Sequence, residues 1–250
     1  MPTMTRTLIY MHRGANKEAA ENTRTAFDRA LQYTIDGMET DVQLSRDEVT
    51  VLWHDRFLNK VGLPEKHIDD FDYAQLCKMD FAKHFPGSTH AEGILSLQDF
   101  LAAYRMRTNL LIEIKNRDWE DMVRQQLKVR QTLQQIGDAG DGRVLISSFN
   151  LESLIYAHSI APDFPLVCNF EPEQGLVDAQ FTLAEHPFLH GLCLHISALD
   201  ETLVAFLRGQ RKSVAVYTCN SDEEISCALR LGVDILISDL PQKALHLRGA

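Results

Sequence analysis

No apolar run in the sequence approaches the roughly 18 residues that a membrane-spanning helix needs. The first apolar stretch, Leu8 to Met11, is too short for a secretory leader and runs straight into His12-Arg13-Gly14. These two absences argue against stable membrane insertion and make the cytoplasm the expected location. There is no Lys/Arg-rich run, and a formal net charge of -10 repels polyanions, which argues against nucleic acid as a partner. No His/Cys cluster has the spacing of a zinc site. The five cysteines (Cys77, Cys168, Cys193, Cys219 and Cys227) are odd in number and contain no C-x-x-C pair, so they read as reduced thiols. Composition sets no oligomeric state.

What is present is the make-up of a soluble globular chain, with 45% hydrophobic and 24% charged residues over 250 positions. That length suits one large domain. Any small anionic ligand must be met by a few local cations or a bound metal, because the net field of the chain opposes it.

Strand-like apolar runs recur at 8–11, 37–44, 49–53, 110–115, 143–149, 165–170, 191–196, 213–218 and 234–238. Helical patterns lie between most of them, several opened by a Ser, Asn or Asp suited to an N-cap. Alternating strand and helix predicts a parallel sheet covered by helices. Nine strands are one too many for an eight-stranded barrel, and the link Ser45-Arg46-Asp47-Glu48 identifies the extra one. A parallel neighbour needs a crossover of about a dozen residues or more, whereas four residues join only an antiparallel hairpin. The expected fold is therefore an α/β (β/α)8 TIM barrel, with a doubly wound open sheet as the alternative. Residues 56–95 break the alternation and contain His67, His84 and His90; they read as a small insertion or lid after the hairpin, within a single domain spanning 1–250. In a barrel, chemistry sits at the C-terminal ends of the strands.

Side chains alternate across a strand, so Glu39 and Asp41 share one face of the segment GMETDVQL. Two carboxylates side by side repel unless a cation lies between them. An isolated E-x-D would read as a solvated rim. Here a second strand, LLIEIK, carries Glu113 and Lys115 within an apolar run, which is an expensive place for charge without a partner. If both strands face one barrel mouth, Glu39, Asp41 and Glu113 can hold a single hard cation, Mg2+, Ca2+ or Mn2+. His12 and His54 each end a strand flanking this one; either alone reads as a structural histidine, and together they suit a general acid and base pair. Asp55 is placed either to orient His54 or to cap the turn. Arg13 and Lys115 bring local positive charge suited to phosphate capture. A metal, two cations and two imidazoles fit phosphoryl transfer or phosphodiester cleavage.

The order of motifs resembles the glycerophosphodiester phosphodiesterase family: HRG at 12–14, ENT-x-x-AF at 21–27, GMETDV at 37–42, HD at 54 and 55, EIK at 113–115, SSFN at 147–150, YTCN at 217–220 and GVDILISD at 232–239. The resemblance implies a TIM barrel with a small insertion after HD. It also implies His12 and His54 as the acid/base pair, Glu39, Asp41 and Glu113 around one divalent cation, and Arg13 and Lys115 on the phosphate. Glu21 would support Arg13 from the edge of the site, and Tyr217 and Phe149 would wall the alcohol pocket, although both also suit packing. The implied reaction is hydrolysis of a small-molecule glycerophosphodiester, such as glycerophosphocholine or glycerophosphoethanolamine, to glycerol 3-phosphate and an alcohol. A lysophospholipase D-like diesterase on the same scaffold and a non-catalytic phosphate- or metal-binding barrel are the rival readings. Three positions depart from the family pattern: Ala20 before ENT, Leu95 before the helix leading to EIK, and LNKVG in place of an Arg/Thr-rich turn after HD.

Overall fold

The computed structural model describes residues 6–116, 120–139 and 142–249. All of the predicted strand segments form strands, shifted at their ends by a residue or two: β1 (Leu8–His12), β2 (Gly37–Leu44), β3 (Thr50–Leu52), β4 (Asn109–Ile114), β5 (Val144–Ser148), β6 (Leu166–Asn169), β7 (Gly191–His195), β8 (Ser213–Tyr217) and β9 (Ile235–Ser238). The helices are α1 (Arg24–Ala30), α2 (Tyr73–Leu76), α3 (Leu97–Tyr104), α4 (Met122–Ile136), α5 (Leu151–Ile160), α6 (Leu176–Glu185), α7 (Glu201–Gly209), α8 (Asp222–Leu231) and α9 (Pro241–Arg248). Ser96, Asn150, Asp200 and Ser221, at the openings of predicted helical patterns, each accept a backbone N–H from the first turn of their helix, and Asp121, inside its predicted pattern, does the same for α4, which starts later than expected.

Eight parallel strands close in the order β1-β2-β4-β5-β6-β7-β8-β9, with β9 returning to β1, so the fold is a (β/α)8 barrel rather than an open sheet. The extra strand, β3, lies antiparallel to β2 as the short link required. It pairs with Val42 to Leu44, while β1 pairs with Gly37 to Glu39 on the same edge of β2. The hairpin thus takes over that edge where β1 ends, and it returns the chain towards the rim at Trp53 and His54.

Strand alternation divides the barrel. Ile9, Met11, Met38, Val42, Ile112, Ile114, Ile146, Leu166, Leu192, Val214 and Leu236 point outward into the core beneath the helices. Tyr10, Leu111, Val167, Cys193, Ala215, Ile235 and Ile237 point inward and plug the interior. At the lower end of β2, Gly37 makes room for that plug, since a Cβ there would lie 2.5 Å from the Tyr10 ring. Moving up the same inward faces, the residues become His12, Glu39, Asp41, Glu113, Ser147 and Asn169. The barrel is filled from below and is polar only at its mouth.

Residues 56–95 form two short 3-10 turns and α2, and carry a second apolar cluster in which Leu58, Val61, Ile68, Leu76, Phe81 and Ile94 pack with Val51 and Trp53 of the hairpin. The chain rejoins the barrel at Leu95, whose carbonyl accepts the Leu52 N–H at 2.9 Å. Cys168, Cys193 and Cys219 are buried free thiols, whereas Cys77 is exposed on the insertion. Among the described residues, no helix is long and apolar enough to cross a membrane.

Candidate active site

The turn after β1 is built for a tight reversal. Arg13 and Gly14 both adopt positive φ, 55° and 77°, and a Cβ at Gly14 would sit 2.8 Å from the Ala26 backbone. A non-glycine residue held in the left-handed region is a strain of the kind found at functional sites. The turn directs His12 and Arg13 into the mouth. His12 Nδ1 lies 2.7 Å from Asp239 Oδ1, and its Nε2 lies 3.9 Å from Glu39 Oε2. Burial pushes the His12 pKa down and Arg13 adds to this; the Asp239 contact opposes both without reversing the direction.

The carboxylates converge as the alternation of β2 and β4 requires. Asp41 is registered against Glu113 on the neighbouring strand, and His12 against Glu39. Glu39, Asp41 and Glu113 are all buried and can each turn one oxygen to within 4.8 Å of the others. Two cations reach them. Arg13 Nε is 3.1 Å from Asp41 Oδ2, and Lys115 Nζ is 3.2 Å from Asp41 Oδ1 and 2.5 Å from Glu113 Oε1. Burial pushes Asp41 up, but Lys115 and then Arg13 outweigh it and hold this carboxylate well below its ordinary range. At Glu39 the balance is reversed: burial and then Asp41 push it well above the usual range, against the opposing pull of Arg13 and Lys115. When all three are ionised, three carboxylates face two cations, and both of these turn to Asp41. A buried all-oxygen trio with an excess of negative charge fits one hard divalent cation.

The ENT segment braces this cluster residue by residue. Glu21 Oε2 pairs with Arg13 at 3.2 Å. Asn22, also at positive φ, donates from Nδ2 to Asp41 Oδ2 at 3.0 Å and accepts from Thr40 at 2.8 Å. Thr23 caps α1. Sequence reasoning singled out Glu21 and passed over Asn22, whose role depends on a backbone conformation that residue type alone does not announce.

His54 stands just past β3, with Nδ1 2.9 Å from Asp55 Oδ1, so Asp55 takes the orienting position rather than only capping the turn. The turn itself hangs from Gln43, which follows Glu39 and Asp41 on the same face of β2. Its buried amide donates to the carbonyls of Trp53 and Asp55 at 2.8 and 3.0 Å. Lys60 joins Asp55 Oδ2 at 2.9 Å and Glu21 Oε1 at 2.7 Å. Gln43, Lys60 and Asp239 were all missed in the sequence. The available signals were the continued alternation E-x-D-x-Q for Gln43 and the final residue of GVDILISD for Asp239.

An inner cavity of about 160 Å³ opens among His12, Arg13, Glu39, Glu113, Asn169 and Tyr217. It adjoins an outer chamber of about 540 Å³ that shares His54, Lys115, Phe149 and Tyr217 and extends to Arg56, Glu171 and His195. Phe149 and Tyr217 meet edge to face, 5.8 Å between centroids, where the two spaces join, and Tyr217 Oη donates to the Phe170 carbonyl at 2.7 Å. Every residue singled out from the sequence is therefore at one mouth: His12, Arg13, Glu39, Glu113, Lys115, His54, Phe149 and Tyr217 line it, Asp41 is fully buried just behind, and Glu21 braces its edge.

The model of the glycerophosphoryl diester phosphodiesterase family matches residues 12–243. A glycerophosphodiester phosphodiesterase of Bacillus altitudinis is 29% identical over 254 residues, covering 97% of this chain and 98% of that protein. Among solved structures, a phosphodiesterase of Oleispira antarctica, in complex with the product sn-glycerol-3-phosphate, superposes with a TM-score of 0.81 at 22% identity and covers 97% of each chain. A glycerophosphodiester phosphodiesterase of Thermotoga maritima superposes with a TM-score of 0.78 at 20% identity, covering 97% of this chain and 99% of that one. The structural likenesses bear on the fold, and the family match bears on the chemistry. The chain belongs to the glycerophosphoryl diester phosphodiesterase family and is a phosphoric diester hydrolase.

Proposed function

We propose that the chain is a single catalytic domain that hydrolyses glycerophosphodiesters such as glycerophosphocholine and glycerophosphoethanolamine to sn-glycerol 3-phosphate and an alcohol. One divalent cation, Mg2+, Ca2+ or Mn2+, is held by Glu39, Asp41 and Glu113. When bound, that ion supplies charge neutralisation at the phosphoryl oxygens. Arg13 and Lys115 bind and orient the phosphate; both are fixed against Asp41 in advance, so little reorganisation accompanies binding. His12 and His54 divide the proton transfers. One imidazole accepts a proton from the attacking nucleophile, either water or the glycerol hydroxyl that closes a cyclic diester for water to open, and the other protonates the departing alkoxide. Each ring is held by a carboxylate at Nδ1.

The inner cavity suits the glycerol end. It is small, and the buried Asn169 Oδ1, which has no hydrogen-bond partner among the described residues, can accept from a glycerol hydroxyl. The alcohol then lies in the outer chamber beside Phe149 and Tyr217. The observation that carries this reading is the meeting of three buried carboxylates, two cations and two carboxylate-backed imidazoles at one cavity. Release of glycerol 3-phosphate from glycerophosphocholine should be abolished by chelation and restored by a divalent cation. Activity that survives both the chelator and Glu39→Ala would falsify the metal-dependent mechanism.

A lysophospholipid is the second reading. A groove of about 270 Å³ between α4 and α5, lined in part by Val129, Ile155 and Tyr156, meets the outer chamber at Asn116 and Asn150 and offers an acyl chain a path. Competition between lysophosphatidylcholine and glycerophosphocholine decides between them: a higher kcat/KM for the acylated substrate would move the assignment.

A further inference from the structure

The segment Leu58 to Gly62 is the part of the site that departs from the family pattern. It forms a 3-10 turn, Asn59–Val61, ended by Gly62 at φ 81°. Leu58 and Val61 sink into the apolar cluster of the insertion, beside Trp53 and Phe81. That anchoring turns Lys60 the other way, towards the mouth, with its side chain one-third exposed. Its ammonium lies 2.7 Å from Glu21 Oε1 and 2.9 Å from Asp55 Oδ2, over the face of Trp53 at 5.9 Å from the ring centroid. The far oxygen of Glu21 holds Arg13, and the far oxygen of Asp55 holds His54. Glu21, His54 and Asp55 lie close enough together to resemble a second set of metal ligands, and Lys60 Nζ supplies the positive charge there from within the chain.

We propose that Lys60 is a positioning residue for the diesterase reaction: a built-in cation that ties the carboxylate behind His54 to the carboxylate behind Arg13, so that the 56–95 insertion aims an acid/base group and a phosphate ligand together. The inference deepens the functional reading above and rests on it. Its physical basis is like-charge repulsion. Without Lys60, Asp55 and Glu21 face each other across a half-buried gap, and either one turns away or one takes up a proton. In both cases His54 Nδ1 or Arg13 loses the acceptor that fixes it. The groups facing Lys60 are Asp55, Glu21, His54 and His84, with Arg13 and Asp41 one step behind. Burial pushes Asp55 up, and His54 and Lys60 together outweigh it and hold it below the ordinary carboxylate range.

The test compares wild type, Lys60→Met and Lys60→Arg on glycerophosphocholine, with pH–rate profiles and thermal unfolding recorded for each. Lys60→Met is expected to lower kcat about 30-fold, within the range for groups that orient a reacting side chain. The acid limb of its profile should move to higher pH by roughly half a unit or more, because Asp55 protonates more readily without the cation. Lys60→Arg should stay within about threefold of wild type with the limb in place, since the charge is kept. If Lys60→Met does not fold, Lys60→Gln, which removes the charge but keeps a polar side chain, takes its place with the same expectations. A folded neutral variant with wild-type kcat, or one that loses activity with an unmoved acid limb, overturns the proposal. So does an equal loss in Lys60→Arg, which assigns the residue to packing of the turn. A wild type that turns over no glycerophosphodiester fails the functional reading itself, and the proposal with it.

Discussion

The mouth holds the same device twice, built by two different routes. At the His12 corner, the imidazole and its carboxylate are 227 positions apart in the chain, and barrel closure of β9 on β1 brings them together. Asn16 and Asn220 also donate to Asp239, and the two ring-and-carboxylate side chains are only 16% and 13% exposed. At the His54 corner, imidazole and carboxylate are adjacent residues on a turn, 31% and 29% exposed, held by Gln43 from below and Lys60 from the side. One corner is a product of the fold, and the other is a local turn clamped to it. If the functional reading holds, the two imidazoles are of equal chemical standing and unequal mechanical standing.

Equal standing makes the first and largest prediction. His12→Ala and His54→Ala should each lower kcat by about a thousandfold, since each removes a proton-transfer group worth roughly 10²–10⁴. The double variant should be little worse than either single one, because residues that act as a unit are not additive. A tenfold difference between the single variants would break the symmetry and show that one proton transfer limits the rate.

Unequal standing makes the second. Asp239→Asn should cost about 100-fold in kcat and Asp55→Asn about tenfold, the two ends of the range for groups that orient a reacting side chain. Asp239 is the hub of a buried network, and its loss also frees Asn16 and Asn220. At the other corner, Gln43 still holds the backbone of the turn when Asp55 is changed. KM for glycerophosphocholine should change little in either, because neither carboxylate touches the cations proposed to bind phosphate. The reverse order of losses would mean that the exposed corner is the better defined one.

The same contrast explains which parts of the site could be read in the sequence. Barrel, hairpin and carboxylate trio were legible because each leaves a local or periodic mark: alternation within β2 and β4, a four-residue link at 45–48, and charges interrupting apolar runs. Asp55 was legible as a neighbour of His54. Asp239 ends an ordinary strand-like segment, and only closure of the barrel shows what it faces. Lys60 was visible only as a departure from a pattern, because its direction is set by Leu58 and Val61 sinking into a cluster whose members lie up to 36 residues further on. Helices α6 and α9 were not singled out. The mean hydropathy of α9 is low and its apolar residues are weakly periodic, so its packing is a tertiary matter.

The smallest predicted effect is on stability, and it too separates the corners. Asp239 is held below the ordinary carboxylate range: burial pushes it up, but the His12 hydrogen bond and charge outweigh burial. Asp55 is depressed in the same way by His54 and Lys60. A depressed folded pKa contributes stability that is fully present above the unfolded value, about 4 for aspartate, and is lost as pH falls through the folded value. Asp239→Asn should therefore lower stability at neutral pH by about 1–2 kcal/mol and flatten the decline of the urea midpoint between about pH 4 and 2. Asp55→Asn should do the same at less than half the size, because water screens the more exposed pair. Equal flattening in the two variants would show that the outer corner is as firmly held as the inner one, and would place the difference between them in chemistry rather than in packing.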